Sequence, residues 1–212
     1  MKTQSLLKTA PDTALDKLLS NAHIKRYAPR MPIVRPGDRS ETLYYIIQGS
    51  VSLTVEDEQG HTLVMSYLNP GHFFGEMGIF STQTRGTAVT ARNACEIAEI
   101  HYSRFLELAM QEPRLLMMLA GQMASRLNET HLKVMDLAFT DVAGRIEHTL
   151  HDLCRQPDAV THPEGMQIRI TRQEIARIVG CSREMAGRAL KELEEQGKIH
   201  AHGKTIVVFG VR

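Results

Sequence analysis

At 212 residues, with 42% hydrophobic and 23% charged residues, the chain has the composition of one large or two modest globular domains. No apolar run reaches the length of a bilayer span, and the N-terminus lacks a signal-peptide pattern. Cys95, Cys154 and Cys181 are scattered and odd in number, which argues against a disulfide framework or metal knuckle and for reduced thiols in a cytoplasm. The net charge of +1 conceals an asymmetry: residues 168–212 hold nine Lys/Arg against five Asp/Glu, so this segment carries +4 and the remainder −3. A basic C-terminal part on a mildly acidic N-terminal one points to a polyanionic partner for the former.

Residues 13–23 have helical apolar spacing and lead into the basic stretch Lys25-Arg26-Tyr27. From Pro32 to about Ile100 the pattern changes to short alternating runs broken by turn residues. Leu43-Tyr44-Tyr45-Ile46-Ile47 ends at Gly49, Val51-Ser52-Leu53-Thr54-Val55 alternates with period two, and Glu58-Gln59-Gly60 turns the chain into residues 62–67. Short strands at intervals of roughly ten residues predict a sandwich or barrel.

A long helix is predicted over residues 113–137, its stripe marked by Leu115, Leu119, Met123, Leu127, Val134 and Leu137. About 25 residues make a rod about 37 Å long, more than a lid for one β-domain needs. In one reading the stripe packs on its own sandwich. In the other, one face packs there and another on the same helix of a second subunit; the length and the module that follows favour this dimer. Asp141 is suited to cap a new helix from Val142, leaving Phe139-Thr140 as a hinge. The resulting division is residues 1–112, 113–138 and 139–212.

Thr171-Arg172-Gln173-Glu174 is a capping box, and Ile175, Ile178 and Val179 give the short helix behind it an apolar face. Gly180 supplies a tight turn and Ser182 caps a second helix, with Met185, Ala186, Leu190 and Leu193 assigned to its buried side. Arg183, Glu184 and Arg188 then fall at the exposed N-terminal end, the part of a recognition helix that reaches base edges. Arg suits the O6 and N7 of guanine, and Glu suits the amino group of cytosine. Arg172 is placed to meet a phosphate. Beyond Gln196-Gly197 the chain reads as a β-wing turning at His202-Gly203, with Lys204 near its tip. Solvation of a helix face accounts for Arg177 or Lys191, but not for a helix pair, a glycine turn and a wing in this order.

In the β-rich part, Phe74-Gly75-Glu76-Met77-Gly78 followed by Arg85 is the constellation to weigh. Gly75 lets backbone approach a ligand, Glu76 can accept a sugar hydroxyl, and Arg85 can hold a phosphate in its planar fork. The alternative is a turn with a surface ion pair between Glu76 and Arg85. An enzyme, such as a cupin-like catalyst, is disfavoured because His61 and His72 lack a metal-ligand spacing and no nucleophile–base arrangement accompanies them. A nucleotide-binding regulatory module without DNA function is disfavoured by Arg183, Glu184 and Arg188.

The segments Ile170-Thr171-Arg172-Gln173-Glu174-Ile175, Val179-Gly180-Cys181-Ser182-Arg183-Glu184, Gly187-Arg188 and Ala201-His202-Gly203-Lys204-Thr205 closely resemble the cyclic AMP receptor (catabolite activator) protein family. The resemblance covers the whole chain and is tightest from Leu137 onward. It implies an α+β homodimer: an N-terminal cyclic-nucleotide-binding β-sandwich (jelly roll), a long dimerisation helix and a C-terminal winged helix-turn-helix. It also implies Arg183, Glu184 and Arg188 as base readers of double-stranded DNA, on a TGTGA-type half-site in an inverted repeat. Arg172, Ser182, His202 and Lys204 match backbone contacts. Residues 159–165 resemble the loop with which the family contacts RNA polymerase, and His23, Lys25 and Arg26 partly match a second such surface.

The same resemblance makes Gly75, Glu76 and Arg85 part of a phosphate-binding cassette for cyclic AMP as allosteric effector, with no metal. The family usually has Ser or Thr after that Arg; here Gly86 follows, with Thr87 next. The segment between Glu76 and Arg85 is one residue shorter than in the best-known member. Thr130 matches the residue that meets adenine, and its neighbour, a Ser contributed across the dimer in that member, is His131 here. Cyclic AMP is therefore the leading effector, beside cyclic di-GMP and a ligand-independent active state. His131, near a shared helix seam, also reads as a pH-sensitive contact or a solvated helix residue.

Overall fold

The computed structural model describes residues 13–80 and 84–211. The N-terminal stretch read for a signal peptide and three residues of the shortened segment before Arg85 lie outside them. The described residues form two compact units: one comprises those up to Leu53 with Ser66–Leu127, the other Thr54–Met65 with those from Asn128 onward.

In the first unit, α1 (Thr13–Ser20) buries Ala14 and Leu18. The basic stretch after it is a strand, β1 (His23–Tyr27). Then come β2 (Pro32–Val34), β3 (Thr42–Gln48), β4 (Val51–Glu56) and β5 (Thr62–Leu68), whose parts between Thr54 and Met65 are counted with the second unit, β6 (Phe73–Phe74), a single helical turn α2 (Met77–Phe80), β7 (Ala88–Ala91) and β8 (Cys95–His101). They build two four-stranded sheets in the orders β1-β8-β3-β6 and β2-β7-β4-β5. Ile46, Phe74 and Ile97 from the first sheet and Val51, Leu68 and Val89 from the second share one apolar core.

The unbroken apolar run in β3 has a physical reason: the first sheet is buried on both faces. Leu43, Tyr45, Phe73 and Ile100 point the other way, into a second core with α1, α3 (Tyr102–Gln111) and the start of α4 (Arg114–Phe139). The stripe along α4 is divided. Leu115 and Leu119 are buried, whereas Leu127 and Val134 are 58% and 57% exposed.

In the second unit, α5 (Val142–Cys154) starts where the sequence placed it, with Asp141 Oδ1 accepting from Gly144 N at 2.8 Å. β9 (Val160–His162) and β10 (Gly165–Arg169) precede α6 (Arg172–Val179) and α7 (Arg183–Glu195), and β11 (Ile199–His202) and β12 (Thr205–Phe209) form the wing. The sheet order β11-β12-β10-β9 ties the wing to the strands before α6. No helix among the described residues is long and apolar enough to cross a membrane.

Candidate ligand cradle and nucleic-acid interface

Local capping sets the helix-turn-helix. Thr171 Oγ1 accepts from Glu174 N at 3.1 Å, Gly180 takes φ +72° to turn the chain, and Ser182 Oγ accepts from Met185 N at 3.2 Å. Buried Ile175, Ala176 and Val179 face Ala186, Ala189, Leu190 and Leu193 as the apolar sides of the pair, with Ile178 half-buried. Met185 departs from the expected pattern: it is exposed, and Ala189 takes the inward place one turn later.

That packing leaves Arg183, Glu184 and Arg188 on the outer face, all exposed, and none of them makes an ion pair among the described residues. Lys191, further along the same helix, does pair, with Glu195 at 3.5 Å. Arg172, Ser182, His202 and Lys204 are exposed as well. Arg172, Arg183, Gly203 and Lys204 line a cavity of about 550 Å³ floored by Leu190 and Ile206. Three cations from α6, α7 and the wing thus converge on one concavity, the electrostatic requirement for holding a phosphate backbone. The wing is pinned to α7: Glu194 accepts from Ala201 N at 2.9 Å and pairs with His200 at 3.0 Å. The Ala201 amide, more than the imidazole, holds the Glu194 carboxyl below its ordinary range.

The cradle in the first unit is assembled from distant segments. Gly75 has φ +81°, and a Cβ there would stand 2.7 Å from Arg85 Nη1, so only glycine permits this approach. Arg85 is 8% exposed. Its Nη1 donates to Gly75 O at 2.7 Å and to Tyr102 Oη at 3.0 Å, and its Nη2 donates to Thr42 O. Tyr102 is itself bonded to Gly75 O and Ser40 Oγ, and the guanidinium lies 5.5 Å from the Tyr44 ring centre. Every one of these partners is neutral, and no carboxylate stands within ion-pair distance of Arg85 among the described residues.

The alternative Glu76–Arg85 ion pair is therefore not formed. Glu76, 7% exposed, accepts from Arg126 Nη1 at 3.0 Å, and Arg126 Nη2 donates to Phe73 O at 2.7 Å. A buried guanidinium held only by neutral acceptors is electrostatically incomplete and gains from an incoming anion. Gly86 is exposed, with open space where a Cβ would stand, and Thr87 is half-buried just before β7. Thr130 and His131 lie exposed on α4 in the second unit.

Tyr102, Ser40, Thr42 and Arg126 escaped the reading of the sequence. Only Arg126 carried a signal there, standing one helical turn before Thr130. The basic residues of β1 are partnered across the sheet, Arg26 with Glu96 at 3.3 Å and Lys25 with Glu99 at 3.8 Å. In the loop of residues 159–165, Val160 and Thr161 on β9 and Pro163 and Glu164 are exposed. No cluster of three metal-ligating side chains occurs among the described residues.

Residues 24–112 match the family of cyclic nucleotide-binding domains, and residues 168–199 the crp family of bacterial regulatory proteins. The chain is 57% identical over 202 residues to the cAMP-activated global transcriptional regulator Vfr of Pseudomonas aeruginosa, covering 93% of this chain and 94% of that one. It is 53% identical over 206 residues to the cAMP-activated global transcriptional regulator CRP of Salmonella typhimurium, covering 97% and 98%. Among solved structures, the c-di-GMP responsive global regulator CLP of Xanthomonas campestris superposes with a TM-score of 0.88 at 45% identity, covering 94% of this chain and all of that one. A CRP/FNR-family transcriptional regulator of Thermus thermophilus follows with a TM-score of 0.76 at 26% identity, covering 88% and 93%.

Proposed function

Because the chain belongs to the Crp family of bacterial transcription regulators, we propose that it is a cytoplasmic homodimer that binds double-stranded DNA under control of a cyclic nucleotide. It is a regulator, the class of its named relatives, rather than an enzyme. The observation that carries the DNA reading is the set of three exposed side chains on α7, Arg183, Glu184 and Arg188, none engaged in an ion pair among the described residues. They read base edges of a TGTGA-type half-site in an inverted repeat, while Arg172, Ser182, His202 and Lys204 hold the phosphate backbone. The exposed loop of residues 159–165 contacts RNA polymerase.

Dimerisation is supported by the exposed row along α4. Met117 (72% exposed), Ala120, Ala124, Leu127, His131 and Val134 recur at heptad spacing, and the small residues allow close approach of a second copy. Two recognition helices related by the dimer axis then meet half-sites one helical turn apart. Residues 1–112, 113–138 and 139–212 are the ligand, dimer and DNA-reading parts.

Cyclic AMP is the effector we assign. Arg85 meets its phosphate, Glu76 and Gly75 its sugar, Gly86 and Thr87 flank the phosphate, and Thr130 and His131 meet the base. The uncompensated Arg85 guanidinium supports an anionic ligand. Gly86, which leaves open space where the family carries a hydroxyl, supports a second reading: control by cyclic di-GMP, to which the similar CLP responds, or activity without ligand.

Fluorescence anisotropy with a TGTGA inverted-repeat duplex and a scrambled one, with and without each nucleotide, tests the function. Preference for the repeat, tightened by cyclic AMP, is expected. Equal binding of both duplexes overturns the DNA reading, and a response to cyclic di-GMP alone selects the second effector.

A further inference from the structure

α4 and α5 meet at a joint built by an acid in an unfavourable place. Asp136 lies in the last turn of α4, where the helix dipole is negative and a carboxylate is disfavoured. It is compensated from the next helix. His148, on α5, brings Nδ1 to 3.1 Å from Asp136 Oδ1 and 3.2 Å from Oδ2, and Thr140 Oγ1 bonds Oδ1 at 3.3 Å. Arg145 Nη1 closes the turn on Thr140 O at 3.1 Å.

The other charged side chains around the joint have partners of their own. Lys133, one turn before Asp136, bonds Met65 O at 2.6 Å, and burial lowers the pKa of its ammonium against the opposing pull of Asp152 and Glu129. Asp141 is occupied with the Gly144 amide, and Glu147 with Lys198 at 2.6 Å. His148 is the imidazole that faces Asp136 across the joint, and the two form an ion pair only when that ring carries a proton. α5 carries the outcome onward, because buried Ile146 and Leu150 belong to the helix that packs against α6 and α7.

We propose that Asp136 and His148 form a latch, tightened by a proton, that fixes the angle at which α5 leaves α4 and so positions the recognition helix. Its consequence for DNA rests on the function proposed above; the latch itself does not. A neutral imidazole gives Asp136 one hydrogen bond, and an imidazolium adds charge to a half-exposed pair.

The test is hydrogen–deuterium exchange of the full-length protein at pH 6.0 and 8.0, corrected for intrinsic exchange and without DNA or nucleotide. Amides of residues 136–148 in the unmodified chain are expected to be about fivefold more protected at the lower pH, the scale of one partly exposed ion pair. His148→Gln, which keeps a hydrogen bond but not the titration, should abolish the difference, and His148→Lys should give high protection at both values. The proposal is overturned if His148→Gln retains the pH difference, or if His148→Lys behaves as His148→Gln does. Either result leaves the operator experiment standing.

Discussion

Arg126 Nη1 donates to Glu76 Oε1 at 3.0 Å, joining a residue of the long helix α4 to the carboxylate beside Gly75, whose φ is +81°. Both side chains are almost wholly buried. Removing one partner strands the other charge away from water. Arg126→Ala is therefore expected to lower the free energy of unfolding by about 3–5 kcal/mol in urea titrations. The double change Arg126→Met with Glu76→Gln should lose clearly less, because it leaves no buried charge.

Gly86→Ser should tighten cyclic AMP binding. The position is exposed, nothing stands within 4 Å of a Cβ built there, and its φ lies outside the left-handed range, so a serine enters without strain. A hydroxyl bonded to a phosphate contributes about 1.5–3 kcal/mol, or about one to two decades in dissociation constant. Calorimetric titration of both proteins measures it. An unchanged affinity would show that the phosphate does not lie at Gly86.

On DNA, two classes of contact are expected to separate. Arg183→Ala should cost about 1–3 kcal/mol of discrimination at the guanine it reads and relax preference there alone. Lys204→Ala should weaken all duplexes about equally and reduce the salt-dependence slope by about one. Anisotropy titrations at several salt concentrations distinguish them.

The wing should loosen in acid. The Glu194 carboxyl is held below its ordinary value of 4.5 chiefly by the Ala201 amide. A lowered carboxyl value means that this support is complete above about the ordinary value and disappears as pH falls through the lowered one. The amide resonance of Ala201 is thus expected to hold its position down to about pH 4.5 and to move below it. Glu194→Gln should shift that resonance at neutral pH and remove the acid transition.

The second unit was far more legible in the sequence than the cradle. Thr171, Gly180 and Ser182 act on amides within three residues of themselves, so the caps and the turn are written locally, and with them the outward face that carries Arg183 and Arg188. The inward register was not written there: Met185, assigned to the buried side, is exposed and Ala189 is buried, because burial on a helix depends on what packs against it. The cradle has no such locality. Arg85 is held by Thr42 and Tyr102, 43 and 17 residues away, and Glu76 by Arg126, 50 residues away. Side chains brought together by the crossing of strands and a helix leave no period or spacing to read.

The stripe along α4 shows the same division. Its heptad spacing was plain in the sequence. Packing alone decided that Leu115 and Leu119 enter the core of the first unit while Leu127 and Val134 stay uncovered. By itself the sequence determined where α5, α6 and α7 begin, because caps and turns act between neighbours. Only the tertiary structure decided which charges meet. Arg126 rather than Arg85 neutralises Glu76, leaving Arg85 buried among neutral acceptors, because an ion pair depends on distance in space and burial, and neither is encoded by position in the chain.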